Sequence, residues 1–217
     1  MLLCAQHVLP VSSAPIENGA VLVKDGKIAD IGKADMLRIR YAEEEVRDFG
    51  TAAICPGLIN LYARLEDAIF RGLMSDVPYA AWMKEISDLR RRLSAEESYE
   101  SAYLGALESL ASGISTTGAA AKAADKVGLR AVVYREISAI DKNLVNYSLK
   151  KGVSDLEKWS SKLESDRVSF GLAPAPVFQC HPLIYKMVSQ YALEHNLPVA
   201  MRLAGSREEY RFVKNGR

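Results

Sequence analysis

Histidine and cysteine, the side chains that most often hold transition metals, are scarce here, with three of each in 217 residues. Cys4, Cys55 and Cys180 lie far apart and form no C-x-x-C pair, which excludes a structural zinc knot; their odd number argues against a disulfide framework. They are expected to act as small buried hydrophobes in a reduced, cytoplasmic compartment. Net charge is also missing. Lysine plus arginine number 28 against 27 acidic residues, a formal charge of +1, so neither nucleic acid nor a membrane surface is an expected partner. No apolar run approaches the ~20 residues that span a bilayer. The opening Met1-Leu2-Leu3-Cys4-Ala5-Gln6-His7 lacks a basic region and Pro10 soon breaks it, so no signal peptide is expected. No G-x-G-x-x-G follows any strand-like run, which argues against a dinucleotide fold.

What is present suits a soluble globular chain of one large domain or two small ones: 49% hydrophobic and 25% charged residues. Residues 1 to about 53 read as β-rich. Ala20–Lys24 and Lys27–Ile31 flank Asp25-Gly26, a dipeptide that tolerates positive φ at both positions and so predicts a hairpin. A short helix is expected from Ala34 to Ala42. From residue 54 apolar runs alternate with helical patterns. Strands are expected at Ile54–Leu61, Ile114–Ala119, Leu129–Ile137, Val168–Ala173 and Pro198–Ala204. Helices are expected at Tyr79–Leu93, Ala95–Ser112, near Ala120–Val127, over an exposed stretch at 153–165, and at His181–His195 with Asn196 as its cap. Ser94 and Glu97 form a capping-box pair, and Ser206 and Glu209 repeat that spacing to open a last helix. Leu104, Leu107 and Leu110 fall three apart, predicting one buried face. Five strands alternating with helices imply a parallel sheet, either open and doubly wound or part of an eight-stranded barrel.

Motifs decide between these. Pro56-Gly57-Leu58-Ile59-Asn60-Leu61-Tyr62-Ala63-Arg64-Leu65-Glu66, with Phe70-Arg71-Gly72-Leu73 beyond, resembles the first barrel strand of the amidohydrolase superfamily. It is closest to the aminohydrolase and chlorohydrolase branch, whose strand reads P-G-L-I-N-x-H-x-H-L-E before a segment like F-R-G-L. The hairpin, Gly113–Thr117, Gly128–Val132, Gly171–Pro174 and Arg202–Glu209 follow in the family's order. The resemblance implies an α/β fold: about five βα units of a (β/α)₈ TIM-type barrel at 54–217, plus the N-terminal part of a small β-domain at 1–53. The site is then expected at the C-terminal strand ends.

The departures from the family pattern bear directly on function. The two first-strand histidines fall on Tyr62 and Arg64, the histidine of a P-H-A-P-Y segment on Ala175, and the histidine and glutamate of H-L-A-E on Arg202 and Gly205. A sixth-strand histidine and an eighth-strand aspartate would lie beyond Arg217. Zinc needs several N, O or S donors converging at about 2.0–2.3 Å, and a guanidinium has no lone pair to give. Without the metal there is no hydroxide at neutral pH, and Gly205 removes the proton-transferring glutamate. No catalytic residue, metal ligand or cofactor is therefore expected. Tyr62, Arg64, Glu136 and Arg202 are instead expected to line a ligand site, with the arginines holding a carboxylate or phosphate or pairing with Glu66 or Glu136 inside a decayed pocket. Glu136 resembles a glutamate near the third strand end of adenosine-derivative deaminases. Asn60 is assigned to backbone geometry, Arg90-Arg91-Arg92 to a solvated helix face, and His7, His181 and His195 to structural or surface roles. The expected partners are a small anionic or nucleoside-like ligand and a homo- or hetero-oligomer with an amidohydrolase-like chain. An active hydrolase or deaminase of non-peptide carbon–nitrogen bonds, with ligands from further residues or a partner chain, stays open. So do three reasons for the length: a piece of a longer chain, a subunit completed by another, or a half-barrel that dimerises.

Overall fold

A computed structural model describes residues 1–117 and 120–216, with Ala80 and Thr117 described by backbone alone. It divides into two compact units, Met1–Gly57 and Leu58–Arg217.

In the first unit, strands β1 (Leu2–Val8), β2 (Ile16–Lys24), β3 (Lys27–Lys33) and β4 (Val46–Asp48) form a sheet in the order β3-β2-β1-β4; β5 (Ala53–Ile54) also pairs with β1. The β2–β3 turn has φ of 49° at Asp25 and 71° at Gly26, the double positive pair of a type I′ hairpin, as the Asp-Gly dipeptide predicts. Helix α1 (Ala34–Arg40) lays Leu37 onto a core of Leu2, Cys4, Ala20 and Leu22.

The second unit holds β6 (Leu58–Asn60), β7 (Ile114–Thr117), β8 (Arg130–Ile137) and β9 (Val168–Pro174), all parallel and neighbours in sequence order. Sequential order without a reversal is how a barrel winds, whereas a doubly wound sheet switches direction at its centre. Helices α2 (Tyr79–Arg90), α3 (Ala95–Ala111), α4 (Ala121–Val127), α5 (Val145–Ser160), α6 (Pro182–Glu194) and α7 (Arg207–Asn215) complete the unit, with short 3₁₀ turns at Leu65–Phe70, Lys142–Leu144 and Val177–Gln179.

Several expectations are corrected. The run Ile54–Leu61 is not one strand: Pro56 lacks a ladder donor, and the chain leaves β5 to begin β6 after Gly57. Leu104, Leu107 and Leu110 do not form the buried face of α3; they are 48%, 43% and 39% exposed. The buried stripe is Ser101, Ala102, Gly105, Ala106 and Ser109. Small residues are needed there because the 3₁₀ turn comes within backbone distance: a Cβ at Gly105 would stand 2.8 Å from the Leu65 carbonyl oxygen. Ser101 Oγ ties that turn down by accepting from Ile69 N at 2.9 Å and donating to Glu66 O at 2.8 Å. The helix expected at 153–165 instead spans Val145–Ser160 and buries Val145, Leu149, Gly152 and Leu156. The strand expected at Pro198–Ala204 is a single bridge, Val199 to Leu172. Pro198 has no N–H to donate, and Ala204, at φ 54°, ends the extended run. Of the strand expected at Ile114–Ala119, Gly118 and Ala119 lie outside the described residues. Cys4 and Cys180 are buried, but Cys55 is exposed beside the Pro56 break. Arg90 is not on a solvated face: its Nε donates to Asp67 at 2.6 Å in a partly buried pair, while Arg91 stays at the surface with Asp88. Among the described residues no helix is long and apolar enough to cross a membrane.

Candidate functional site

The four residues singled out in the sequence meet at the C-terminal ends of the parallel strands. Tyr62 and Arg64 lie just after β6, Glu136 near the end of β8, and Arg202 three residues beyond the Val199 bridge. Together they line a cavity of about 1000 Å³. Local sequence places each one. Asn60 Oδ1 accepts from Tyr62 N at 3.1 Å, an Asx turn that swings the chain out of β6. Ser101 holds the following turn, so Arg64 projects from a fixed base. Gly171 lets the Pro198 carbonyl reach β9, where it accepts from Leu172 N at 3.0 Å, and Ala200 N donates back to Leu172 O at 3.1 Å. These two bonds set the approach of Arg202.

The phenol of Tyr62 is the hub. Its oxygen accepts from Arg64 Nε at 2.8 Å and, weakly, from Arg202 Nη1 at 3.4 Å. The Arg202 guanidinium also lies 5.9 Å from the Tyr62 ring centre and 5.8 Å from that of Tyr79, within cation–π range of both. Arg64 pairs with Glu136 at 3.5 Å and not with Glu66. Burial opposes the charge on Arg64. The Tyr62 hydrogen bond and the Glu136 and Glu66 carboxylates outweigh it, so the guanidinium is held above its ordinary value. Glu136 is about half exposed, so this pair contributes little to stability, on the order of 1 kcal/mol or less. Arg202 has no carboxylate partner among the described residues. The mouth thus presents around a phenol one guanidinium paired with a carboxylate and one, Arg202, in no direct ion pair among the described residues.

These donors do not suit a transition metal. Among the described residues no three His, Cys, Asp or Glu side chains cluster. Tyr62 already accepts two hydrogen bonds from cations that would repel a dication. Ala175 is fully buried in the core of β9, α5 and α6 rather than in the cavity. The histidines serve elsewhere: His181 caps α6 by accepting from Leu183 N at 3.2 Å, and His195 stacks on Tyr191 at 3.9 Å. Two contributors were not singled out from sequence. Tyr79 is one; its place opposite Arg202 depends on tertiary packing. Glu209 is the other, read only as half of a capping pair, yet it is 3% exposed beside Gly205.

A model of the amidohydrolase family matches residues 53–216, and the chain belongs to that family. Among its relatives are a 5-methylthioadenosine/S-adenosylhomocysteine deaminase of Thermodesulfovibrio yellowstonii, 30% identical over 92% of this chain and 48% of that protein, and a 5'-deoxyadenosine deaminase of Methanocaldococcus jannaschii, 28% identical over 89% and 48%. Solved structures with the same fold include the Helicobacter pylori aminofutalosine deaminase in complex with methylthio-coformycin, with a TM-score of 0.77 and 20% identity over 100% of this chain and 54% of that one. An atrazine chlorohydrolase from Arthrobacter aurescens complexed with zinc matches at 0.75 and 18%, over 99% and 55%. The parallel unit is thus part of an amidohydrolase barrel, and the chain spans about half the length of the curated relatives it matches.

Proposed function

We propose that this chain is a metal-free amidohydrolase half-barrel that binds a small anionic, nucleoside-like ligand at its strand-end mouth and does not hydrolyse it. The observation that carries this reading is the convergence of Arg64 and Arg202 on Tyr62, at positions where the family resemblance implies metal ligands. Fixed guanidinium charge replaces the charge of a cation, and planar N–H forks match carboxylate or phosphate oxygens. The cavity is large enough for a nucleotide-sized molecule, and Tyr99, Tyr134 and Trp159 along it offer faces for a base.

The test is a thermal-shift and calorimetric comparison of adenosine 5'-monophosphate, inorganic phosphate and adenosine. The monophosphate is expected to stabilise the native protein more than adenosine does. Arg202→Gln is expected to weaken its binding about 10- to 100-fold, the effect of one charge-assisted hydrogen-bonding group. No stabilisation by any of these anions at millimolar concentration overturns the reading.

The half-length match favours a second reading, in which further residues or a partner amidohydrolase-like chain complete a working deaminase. Leu58, Ile59 and Leu61, 61%, 65% and 83% exposed around the first strand, support such an association. In its partner-chain form that reading requires a complex of higher mass by light scattering together with a stoichiometric transition metal, and a metal-free monomer eliminates that form; in its other form it requires stoichiometric metal in a chain extended by the further residues.

A further inference from the structure

Two buried polar atoms beside the mouth are left over by the anion-site reading. Among the described residues, Arg202 Nε and Glu209 Oε1 are buried without a hydrogen-bond partner. Glu209 is otherwise well fixed. Its backbone N–H donates to Ser206 Oγ at 3.1 Å, and its Oε2 accepts from Gly205 N at 2.8 Å. A dry carboxylate oxygen and a dry guanidinium N–H are each costly, so such atoms in folded proteins are paired or share an ordered water.

The two leftover groups are complementary: Nε–H lacks an acceptor and Oε1 lacks a donor. Their side chains also meet beside Gly205: a Cβ there would stand 3.6 Å from Arg202 Nε and 3.3 Å from Glu209 Oε2, the bonded oxygen of the carboxylate that carries Oε1. No direct bond joins the pair, and one water would satisfy both by accepting from Nε and donating to Oε1. Tyr185, which also lies near Glu209, is already committed, its phenol donating to Ala175 O at 2.9 Å.

We propose that Glu209 is the positioning residue for Arg202, acting through a bridging water in the space beside Gly205. This water anchors one edge of the guanidinium on the buried side and leaves its Nη groups to Tyr62 and to the ligand. A residue without a side chain at 205 keeps that space open. The functional meaning rests on the anion-site reading; the geometry does not.

The experiment follows the Arg202 Nε–H resonance in ¹⁵N-labelled protein, assigned by its loss in Arg202→Lys. In the native protein its solvent exchange is expected to be about tenfold or more slower than that of the exposed Arg207, the protection one buried hydrogen bond confers. Glu209→Gln is expected to remove that protection. Gly205→Ala should also do so by filling the space; the φ of Gly205 lies outside the left-handed region, so alanine brings no backbone strain, and the Glu209 carboxylate, 3.3 Å from the new Cβ, needs to give only a few tenths of an ångström. Glu208→Gln should leave the resonance unchanged. Backbone amide spectra show which variants fold, and if Glu209→Gln does not, Gly205→Ala carries the test. An Nε–H as fast as Arg207 in the native protein, or unchanged in both variants, overturns the proposal. Phosphate titration of the same samples keeps the two readings apart: no binding by any of them sinks the anion site, while the exchange comparison still decides the role of Glu209.

Discussion

Replacing Tyr62, Arg64 and Arg202 together by histidine is expected to create a zinc site of about micromolar affinity or tighter, where the native chain competes for no metal. The three positions already converge, because Tyr62 Oη lies within hydrogen-bond reach of both guanidinium groups. What they lack is lone pairs. Three neutral imidazoles supply nitrogen donors suited to about 2.0–2.1 Å bonds, and a water or Glu136 is available for the fourth position. The triple variant also removes two positive charges that repel the ion. Competition against a chromophoric chelator measures the gain. Equal competition by native and variant chains would mean that the mouth binds metal through other atoms, and the account of its chemistry would be wrong. No gain in the folded variant would mean that these strand ends do not converge.

Gly171→Ala is expected to destabilise the parallel unit by about 3 kcal/mol, the upper end of the usual cost of overpacking. The added Cβ would stand 2.4 Å from the Pro198 carbonyl oxygen and 2.8 Å from the Tyr134 ring. The ring has some freedom to turn, but the carbonyl belongs to the backbone bridge between β9 and Val199. That bridge has only the two bonds through Leu172, so it is expected to open and carry Arg202 away from Tyr62. Urea unfolding of Gly171→Ala beside Ser169→Ala, a neighbouring exposed position of the same strand, reads the cost. The anion response should vanish with the bridge. An alanine variant of unchanged stability and unchanged anion response would show that the approach of residues 198–202 is looser than the contacts imply.

Local chemistry made much of the fold legible in the sequence. Asp25-Gly26 announced its turn through the positive φ it tolerates, and Ser94 with Glu97 closes the capping box its spacing predicts. The strands at Arg130–Ile137 and Val168–Pro174 followed from apolar runs of the right length. What was misread depended on neighbours. The leucines of α3 have the period of a buried face, but the helix turns Gly105 and its small companions inward because the Leu65–Phe70 turn comes too close for anything larger. The start of α5 was missed although Val145, Leu149, Gly152 and Leu156 carry a helical period. Polar residues between them and a glycine within the stripe hid it. The residues 198–204 have strand composition, yet one proline and one positive φ reduce them to a bridge. The four candidate residues were singled out through the family resemblance, and the structure brings them to the lining of one cavity. Tyr79 had no such signal, and Glu209, although within the matching stretch Arg202–Glu209, was read only as a capping partner, since nothing local says which side chain will lie over a guanidinium or beside a glycine.

Elemental analysis of the native protein, purified from zinc-supplemented culture without chelator, tests the central claim most directly. Guanidinium groups standing where lone-pair donors are required predict at most about 0.1 equivalent of zinc, iron or manganese per chain. One equivalent of any of these, retained through dialysis and lost together with thermal stability on chelation, would contradict it.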